Sequence, residues 1–528
     1  MQMHFPRAAL FALALCAPLA HAQAEDPLDL KIRNGWAVAA QQDTPIAARS
    51  NKASYPILTS TDAAQTWQYA NSGNWISGFF PSSLWMLQAQ DATQGWDTRA
   101  AAWTTGMGNQ ASNTGTHDVG FMVFTPFGNG YRMTGNASYL QTIQTTANSL
   151  SSRYDPDVGA VRSWGSISDT TNFQVIIDNM MNIELMFWAS AHGGSSTLYD
   201  RARSHAIKTM QNHVRPDGSS YHLVVYSPTT GAVKSRSTVQ GYSDSSTWAR
   251  GQAWGIYGFT MTYRFTGEQQ FLDTARRMAD WFLGHLPADK VPFWDFNDPA
   301  IPNAPRDSSA AAIAASGLME LSLLETDATR ATTYRNAAKS LLGAVLSPPY
   351  LATLGSPSNT QALLLQSSYH KNEGLYNQGT GWGDYYLLEA MLRARRLPPG
   401  LAPLATLGVT ASSAQAGNPA TGATDNNTAT RWSAQGDGQW LRIDLGAGAL
   451  VHKVGVSFYL GDQRSARFDI ETSTDGLAWT PRWQGRSSGQ TAGMEYYDIP
   501  DASTRYVRIV GHGSTASDWN SVTEIAAF

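Results

Sequence analysis

The sequence predicts an all-α domain of paired helices, arranged as a closed ring or a solenoid, followed by a separate β-sandwich. Three observations carry this. From about residue 28 to residue 396 the apolar pattern is helical, interrupted by Gly, Pro and Asn/Asp clusters. Within that span "YRMTGNASYLQTIQTTANSL" is echoed by "YRFTGEQQFLDTARRMADWFL": an aromatic-Arg end, Thr-Gly as the stop, then a new amphipathic helix. After Arg396 short segments such as "QWLRIDLG", "HKVGVSFYL" and "RFDIETSTDG" alternate apolar and polar residues between turn signals. At 528 residues the chain also exceeds one hydrophobic core, so at least two domains are expected.

Taken in order, the chain opens with "MQMHFPRAALFALALCAPLAHAQAEDP", one Arg followed by an apolar run from Ala8 to Leu19 and small residues at Ala20, Ala22 and Ala24. Residues 1–24 therefore read as a cleavable secretory signal, too short to span a bilayer as a mature helix. Cys16, the only cysteine, lies inside it, and Leu15 stands where a lipoprotein signal would carry a small residue. The mature chain is expected to have no thiol or disulfide and to be secreted or periplasmic. Residues 25–396 hold about twelve helical segments, beginning near residues 28, 76, 96, 119, 136, 173, 196, 248, 268, 307, 331 and 381. In a ring of six such pairs the inner helices would be apolar all round and the outer ones amphipathic. Residues 397–407, "LPPGLAPLATL", form a linker, and residues 408–528 the sandwich.

Charge narrows the function. With 37 basic and 41 acidic residues the net charge is -4, which gives no electrostatic case for nucleic acid or an anionic membrane as partner. The 18 Trp and 21 Tyr serve packing first, and also suit a protein that stacks rings on sugar faces.

One carboxylate stands out. "FQVIIDNMMNIELMFWASAHGG", residues 173–194, predicts an inner helix with Asp178 in its middle. An enclosed carboxylate needs hydrogen bonds or a counter-charge, or its pKa rises. Asn182, one turn on, would point the same way, so the stretch supports either a satisfied polar pair or an acid lining a buried pocket.

Four further stretches concentrate polar residues among aromatics: "NWISGFFP" (74–81), "THDVGFM" (116–122), "YHLVVY" through "VQGYSDSSTWARGQAWG" (221–255) and "NQGTGWGDYYLLEA" (377–390). Together with "IIDNMMN" they resemble, in order along nearly the whole helical region, the unsaturated glucuronyl hydrolases, glycoside hydrolase family 88. The resemblance implies an (α/α)6 barrel, no cofactor for catalysis, and removal of a 4,5-unsaturated uronic acid from the non-reducing end of lyase-generated oligosaccharides. It places the catalytic pair on Asp118 and Asp178 and substrate contacts on Trp75, His222, Gln240, Arg250 and Trp254. "SSYHKNE" (367–373) lies where family members approach the next sugar, which makes Lys371 a candidate for a sulfate.

The chemistry accounts for these residue types. The substrate is a cyclic enol ether conjugated to a carboxylate, so the difficult event is protonation of C4, which develops oxocarbenium character at C5. An acid that keeps its proton near neutral pH is required, and burial beside a second carboxylate supplies one. Asp178 is the expected acid, and Asp118 the charge that tunes it and stabilises the ring cation. Blander roles exist: Asp118 as N-cap of a helix starting at Val119, Arg250 as a packing cation between two tryptophans, and His117 as support for Asp118.

In the last domain, "NPATGATDNNTATRWSAQGDGQWLRIDLG" resembles the opening of discoidin, or coagulation-factor C-type, jelly-roll sandwiches, which include carbohydrate-binding modules. That implies polysaccharide as a partner and a structural Ca²⁺ at Asp425, Thr430 and Glu524, whose oxygen ligands suit the ion. A lyase or saturated-glycan hydrolase on the same barrel, or a catalytically dead binder, would be the rival functions.

Overall fold

The computed structural model describes residues 25–528 apart from 63 and 356–359, so the leader at 1–24, with Cys16, lies outside the described residues. Twelve helices, counted among the described residues, make the first domain, an (α/α)6 barrel: α1 (Pro27–Ala47), α2 (Phe79–Gln90), α3 (Trp96–Thr105), α4 (Thr125–Thr134), α5 (Ala137–Ser151), α6 (Asn179–Asn182 and Glu184–Ala191), α7 (Ser196–His213), α8 (Ala249–Thr266), α9 (Gln269–Gly284), α10 (Ser308–Leu324), α11 (Ala328–Val345) and α12 (Gly381–Ala394). The even-numbered helices form the inner ring. Nearly every residue of α2, α8, α10 and α12 is buried, whereas outer α9 buries one face. Thr-Gly stops work as the sequence suggests. Gly135 and Gly267 have φ of 67° and 65°, the left-handed conformation open to glycine, and their N–H groups close the last turns on Tyr131 and Tyr263.

One expected helix is shorter than predicted. Phe173–Ile176 is a β-strand, paired antiparallel with Leu223–Tyr226, which pairs in turn with Val233–Ser237. Val175 and Ile176 are β-branched and find a partner of the same kind in "LVVY", and an all-apolar run cannot by its period distinguish strand from helix. Asp178 consequently sits at a strand-to-helix turn instead of mid-helix.

The second domain is a seven-stranded antiparallel sheet, curled into a jelly-roll. Its order is Trp432–Gln435, Trp519–Ala527, Gln439–Phe458, Glu495–Ser514, Ala466–Ser473, Thr480–Arg486, with Gly408–Ala411 beside Gln439–Phe458. The two 20-residue strands bend at register shifts, which lets one sheet supply both layers over its own core. The domains are docked. Arg395 is buried with its guanidinium 5.4 Å from the Trp483 ring and 5.2 Å from Tyr497, while Arg33 pairs with Asp498 (2.8 Å) and Lys453 with Asp29 (2.7 Å).

Candidate active site

The inner helices all run the same way, so their N-termini meet at one mouth of the barrel, and the motif residues collect there. Asp178 is enclosed, and its Oδ2 has no hydrogen-bond partner. His222 Nε2 stands 3.8 Å from that oxygen, more deeply buried than the carboxyl and likewise without a hydrogen-bond partner. On the other side of that ring Nδ1 accepts from the backbone N–H of Val239 (3.2 Å) and Gln240 (3.4 Å). The proton of the neutral imidazole is therefore on Nε2, facing Asp178. Burial, reinforced by Arg250, depresses the His222 pKa to about 3, so the ring is a neutral donor. Burial pushes the Asp178 carboxyl up to about 7, with Asp118 adding to the rise and Arg250 and the Trp254 side chain opposing it.

Asn182 does not pair with Asp178. Its Oδ1 accepts from the Phe121 N–H (2.9 Å), and Gly120 lies so close that a Cβ there would be 2.5 Å from that oxygen. The segments that carry Asp118 and Asp178 are thus locked together beneath the two carboxyls. His117 and Asn179 join them a second time (Nδ1 to Oδ1, 3.1 Å). The Asn179 amide is committed to the Val161 carbonyl (2.8 Å), so the histidine donates in this contact.

Asp118 caps no helix. Its Oδ2 accepts from the Thr116 hydroxyl (2.9 Å), its own N–H returns to that hydroxyl (3.1 Å), and Oδ1 stands 3.3 Å from His117 Nε2. The capping group for the helix that follows is Asn182. A π-helical turn, Gly120–Phe124, leads into α4, a distortion found often beside functional sites.

The remaining candidates fall into a wall and a brace. Trp75 stacks on Trp382 (5.0 Å, 29° between planes), and Trp254 lies fully buried between Phe121 (5.5 Å) and Tyr386 (5.2 Å), its indole nitrogen unpartnered. Arg250 is held by protein groups. It sits 4.4 Å from the Trp248 ring and 4.9 Å from Trp382, pairs through Nη1 with Asp307 (3.2 Å) and the Ser368 carbonyl, and reaches the Tyr369 carbonyl through Nη2 (3.0 Å), leaving only Nε unpartnered. Gln240 donates to the same Tyr369 carbonyl (3.1 Å). Lys371 stands at the rim, half-exposed, 3.9 Å from Asp298. Asp307, Tyr369 and Trp382 were not singled out in the sequence, and Trp248 only as one of the two tryptophans flanking Arg250. "RDSSAAA" could have marked Asp307, which also caps α10 through Ser309 and Ala310.

In the second domain the three residues proposed for an ion do meet. Asp425 accepts from Thr430 Oγ1 (2.7 and 2.9 Å), and Asn427 N–H donates to both Asp425 (3.0 Å) and Glu524 (2.8 Å). Burial, with Asp425 beside it, raises the Glu524 pKa. Among the described residues no cluster of three or more His, Cys, Asp or Glu has the arrangement of a metal site.

Comparison with known proteins bears on both domains. Residues 408–525 match the F5/8 type C domain family. The chain is 40% identical over 331 residues to an unsaturated glucuronyl hydrolase of Formosa agariphila, covering 62% of this chain and 81% of the relative. It is 32% identical to an unsaturated chondroitin disaccharide hydrolase of Streptococcus pneumoniae, covering 67% of this chain and 86% of that one. Among solved structures, an unsaturated glucuronyl hydrolase specific for heparin superposes with a TM-score of 0.65 at 35% identity, covering 69% of this chain and 96% of that one. The enzyme from Bacillus sp. GL1 gives 0.64 at 30%, covering 70% and 97%.

Proposed function

The chain belongs to the unsaturated glucuronyl hydrolase family and is an exo-acting hydrolase of unsaturated uronic acid residues; from that premise we propose that Asp178 is its general acid and Asp118 the charged partner. The observation carrying this is the enclosed Asp178 carboxyl, raised to about 7, whose unpartnered Oδ2 faces a neutral histidine.

Asp178 gives its proton to C4, and electron density leaves the enol ether so that positive charge develops at C5 and the ring oxygen. The Asp118 carboxylate stabilises that charge. Asp178, now the base, takes a proton from the water that adds at C5. The resulting hemiketal opens and releases the sugar, so hydration breaks the link and the carboxylate spacing of ordinary glycosidases does not set the outcome. His222 Nε2–H is the donor that orients the attacking water against Asp178. Trp75 and Trp254 wall the ring, Gln240 fixes the loop over it, and Arg250 offers the uronate its field and its Nε. The six helix N-termini add positive potential at this mouth, which suits an anionic substrate. Lys371 would meet an acidic group on the next sugar.

In the C-terminal domain Asp425, Thr430 and Glu524 would hold a structural Ca²⁺. The all-oxygen donor set fits it, and a divalent cation would relieve the repulsion between the two carboxylates. That domain would bind polysaccharide and keep the enzyme near lyase products. The apolar run from Ala8 to Leu19 supports export to the periplasm or medium, which the N-terminal sequence of the mature protein would test.

The deciding assay follows the near-ultraviolet absorbance of C4=C5 across a panel of unsaturated disaccharides. Wild type should remove it and Asp178→Asn should not. Wild type that leaves it unchanged overturns the activity, and an active Asp178→Asn overturns the acid.

A further inference from the structure

The barrel has a cavity of about 510 Å³, within the ~300–1,000 Å³ range of small-molecule sites, that is lined by neither Asp118 nor Asp178. It lies at the opposite mouth, where the inner helices end. Barrel residues Arg132, Trp188, Arg264 and Arg393 form one wall, and sandwich residues including Arg464 and Gln490 form the other. The closure is tight: a Cβ on Gly135, at the end of α4, would lie 2.6 Å from the Thr515 carbonyl of the sandwich. Phe121 and Tyr386 line this space, and their rings pack on Trp254.

Helix C-termini concentrate partial negative charge, and α4, α8 and α12 each carry an arginine in the last turn: Arg132, Arg264 and Arg393. Two of these are paired. Arg264 meets Glu184 (2.7 Å) and Glu320 (2.8 Å), and Arg393 meets Glu320 (3.0 Å) and Glu389 (3.7 Å). Arg132 differs. Its side-chain bond goes to neutral Asn129, and burial lowers its pKa, opposed without a direct ion pair by Glu184 and Glu389, which are themselves paired with Arg264 and Arg393. Arg464, from the other domain, bonds only the Tyr459 carbonyl (3.1 Å) and is likewise depressed by burial. The rim's one unpaired carboxylate, Asp462, is exposed. Two partly buried guanidiniums without a carboxylate in ion-pair contact thus line one cavity, and such forks match carboxylate or sulfate. Around them Trp188 with Tyr131 at its edge (5.6 Å), Asn129 and Gln490 offer the mix of ring faces and amides that a sugar requires.

We propose that this cavity is a second saccharide site, shared between the two domains, that takes a small acidic sugar with its carboxylate or sulfate between Arg132 and Arg464. The ligand would bridge barrel and sandwich without entering the catalytic mouth.

Calorimetric titration of the full chain with saturated glucuronate, glucose 6-sulfate and glucose tests it. Wild type should show a binding event for at least one acidic sugar and none for glucose at this site. Arg132→Gln and Arg464→Gln should each weaken that event at least about tenfold, while kcat/KM on an unsaturated disaccharide stays within about twofold of wild type. Comparing the two acidic sugars assigns carboxylate or sulfate. Should Arg132→Gln fold poorly by melting, Arg464→Gln on its surface loop decides alone. Binding that neither variant moves, binding that only one well-folded variant moves, equal binding of glucose, or no binding beyond the catalytic mouth overturns the proposal.

Discussion

Asp178 and Glu320 are both carboxyls enclosed by the same ring of helices, yet burial leaves one raised to about 7 while the other is lowered to about 2. Burial raises both. At Glu320 it is outweighed by Arg264 and Arg393, both in contact with the carboxylate. At Asp178 the available arginine, Arg250, is already held by Asp307 and two backbone carbonyls, so its attraction is felt but incomplete. A buried acid therefore becomes a proton donor or an ion-pair anchor according to whether the nearest guanidinium is engaged elsewhere. The helix ends reinforce the division: N-termini meet at Asp178, and C-termini near Glu320 call for arginines.

The largest expected break of this contrast is Asp178→Asn, which keeps size and loses the proton. kcat should fall by about a thousandfold while the substrate still binds. Wild-type kcat should fall as pH rises through about 7, where Asp178 ionises. The raised pKa has a stability consequence of definite sign. The contribution of Asp178 is fully present below the ordinary 3.8 and is lost as pH rises through about 7. At pH above 7 the variant should therefore melt higher than wild type, with an upper bound on the order of 4 kcal/mol; a lower melting temperature there would mean Asp178 is a structural anchor.

Glu320→Gln should do the reverse. Activity near room temperature should be kept, but two arginines lose a shared buried partner, at about 3 kcal/mol. The Glu320 contribution is present above the ordinary 4.5 and lost as pH falls toward about 2, so the gap to wild type in denaturant midpoint should narrow in acid. A gap that widened in acid would contradict the pairing.

Much of the candidate site was legible because its residues travel in local motifs: Asp118 beside His117, Asp178 in an apolar run, Trp75 and Trp254 among aromatics near helix starts. What escaped the sequence depends on distance along the chain. Phe173–Ile176 became a strand because its partner lies in 223–226, and no local period announces a partner. Arg250 is shaped by Ser368 and Tyr369, which only the closed ring brings to it. The cavity at the opposite mouth needs two domains, each unremarkable alone. Within the stretch read as a linker, Leu397 packs in the barrel core and Leu404 on the sandwich core.

That docking makes the next prediction. A chain ending at Arg396 should cleave unsaturated disaccharides with kcat/KM within about threefold of the full chain, since the sandwich touches only the mouth far from Asp178. Its melting temperature should nevertheless fall by at least about 4 °C, because Arg395, Arg33 and Asp29 lose their partners. A large loss of kcat with an unchanged melting point would show that the sandwich shapes the catalytic mouth after all.

The smallest shift in pH concerns Asp118, and it separates two ways one charge can serve an acid. Asp118 raises the Asp178 pKa, but it ranks behind burial and is opposed by Arg250. Removing its charge in Asp118→Asn should therefore move the alkaline limb of the kcat profile toward acid by only a fraction of a pH unit. If tuning were its whole role, kcat at pH 5.5, where Asp178 stays protonated in either protein, would be unchanged. If the carboxylate also stabilises the charge developing at C5, kcat should stay depressed on the acidic plateau by about a hundredfold, whatever the position of the limb. Stability offers little cover for either result, because Asp118 caps no helix and Asn can accept the Thr116 hydroxyl as Asp does. A full plateau with a displaced limb would leave Asp118 as a tuning charge alone, and a full plateau with an unmoved limb would remove it from the active site.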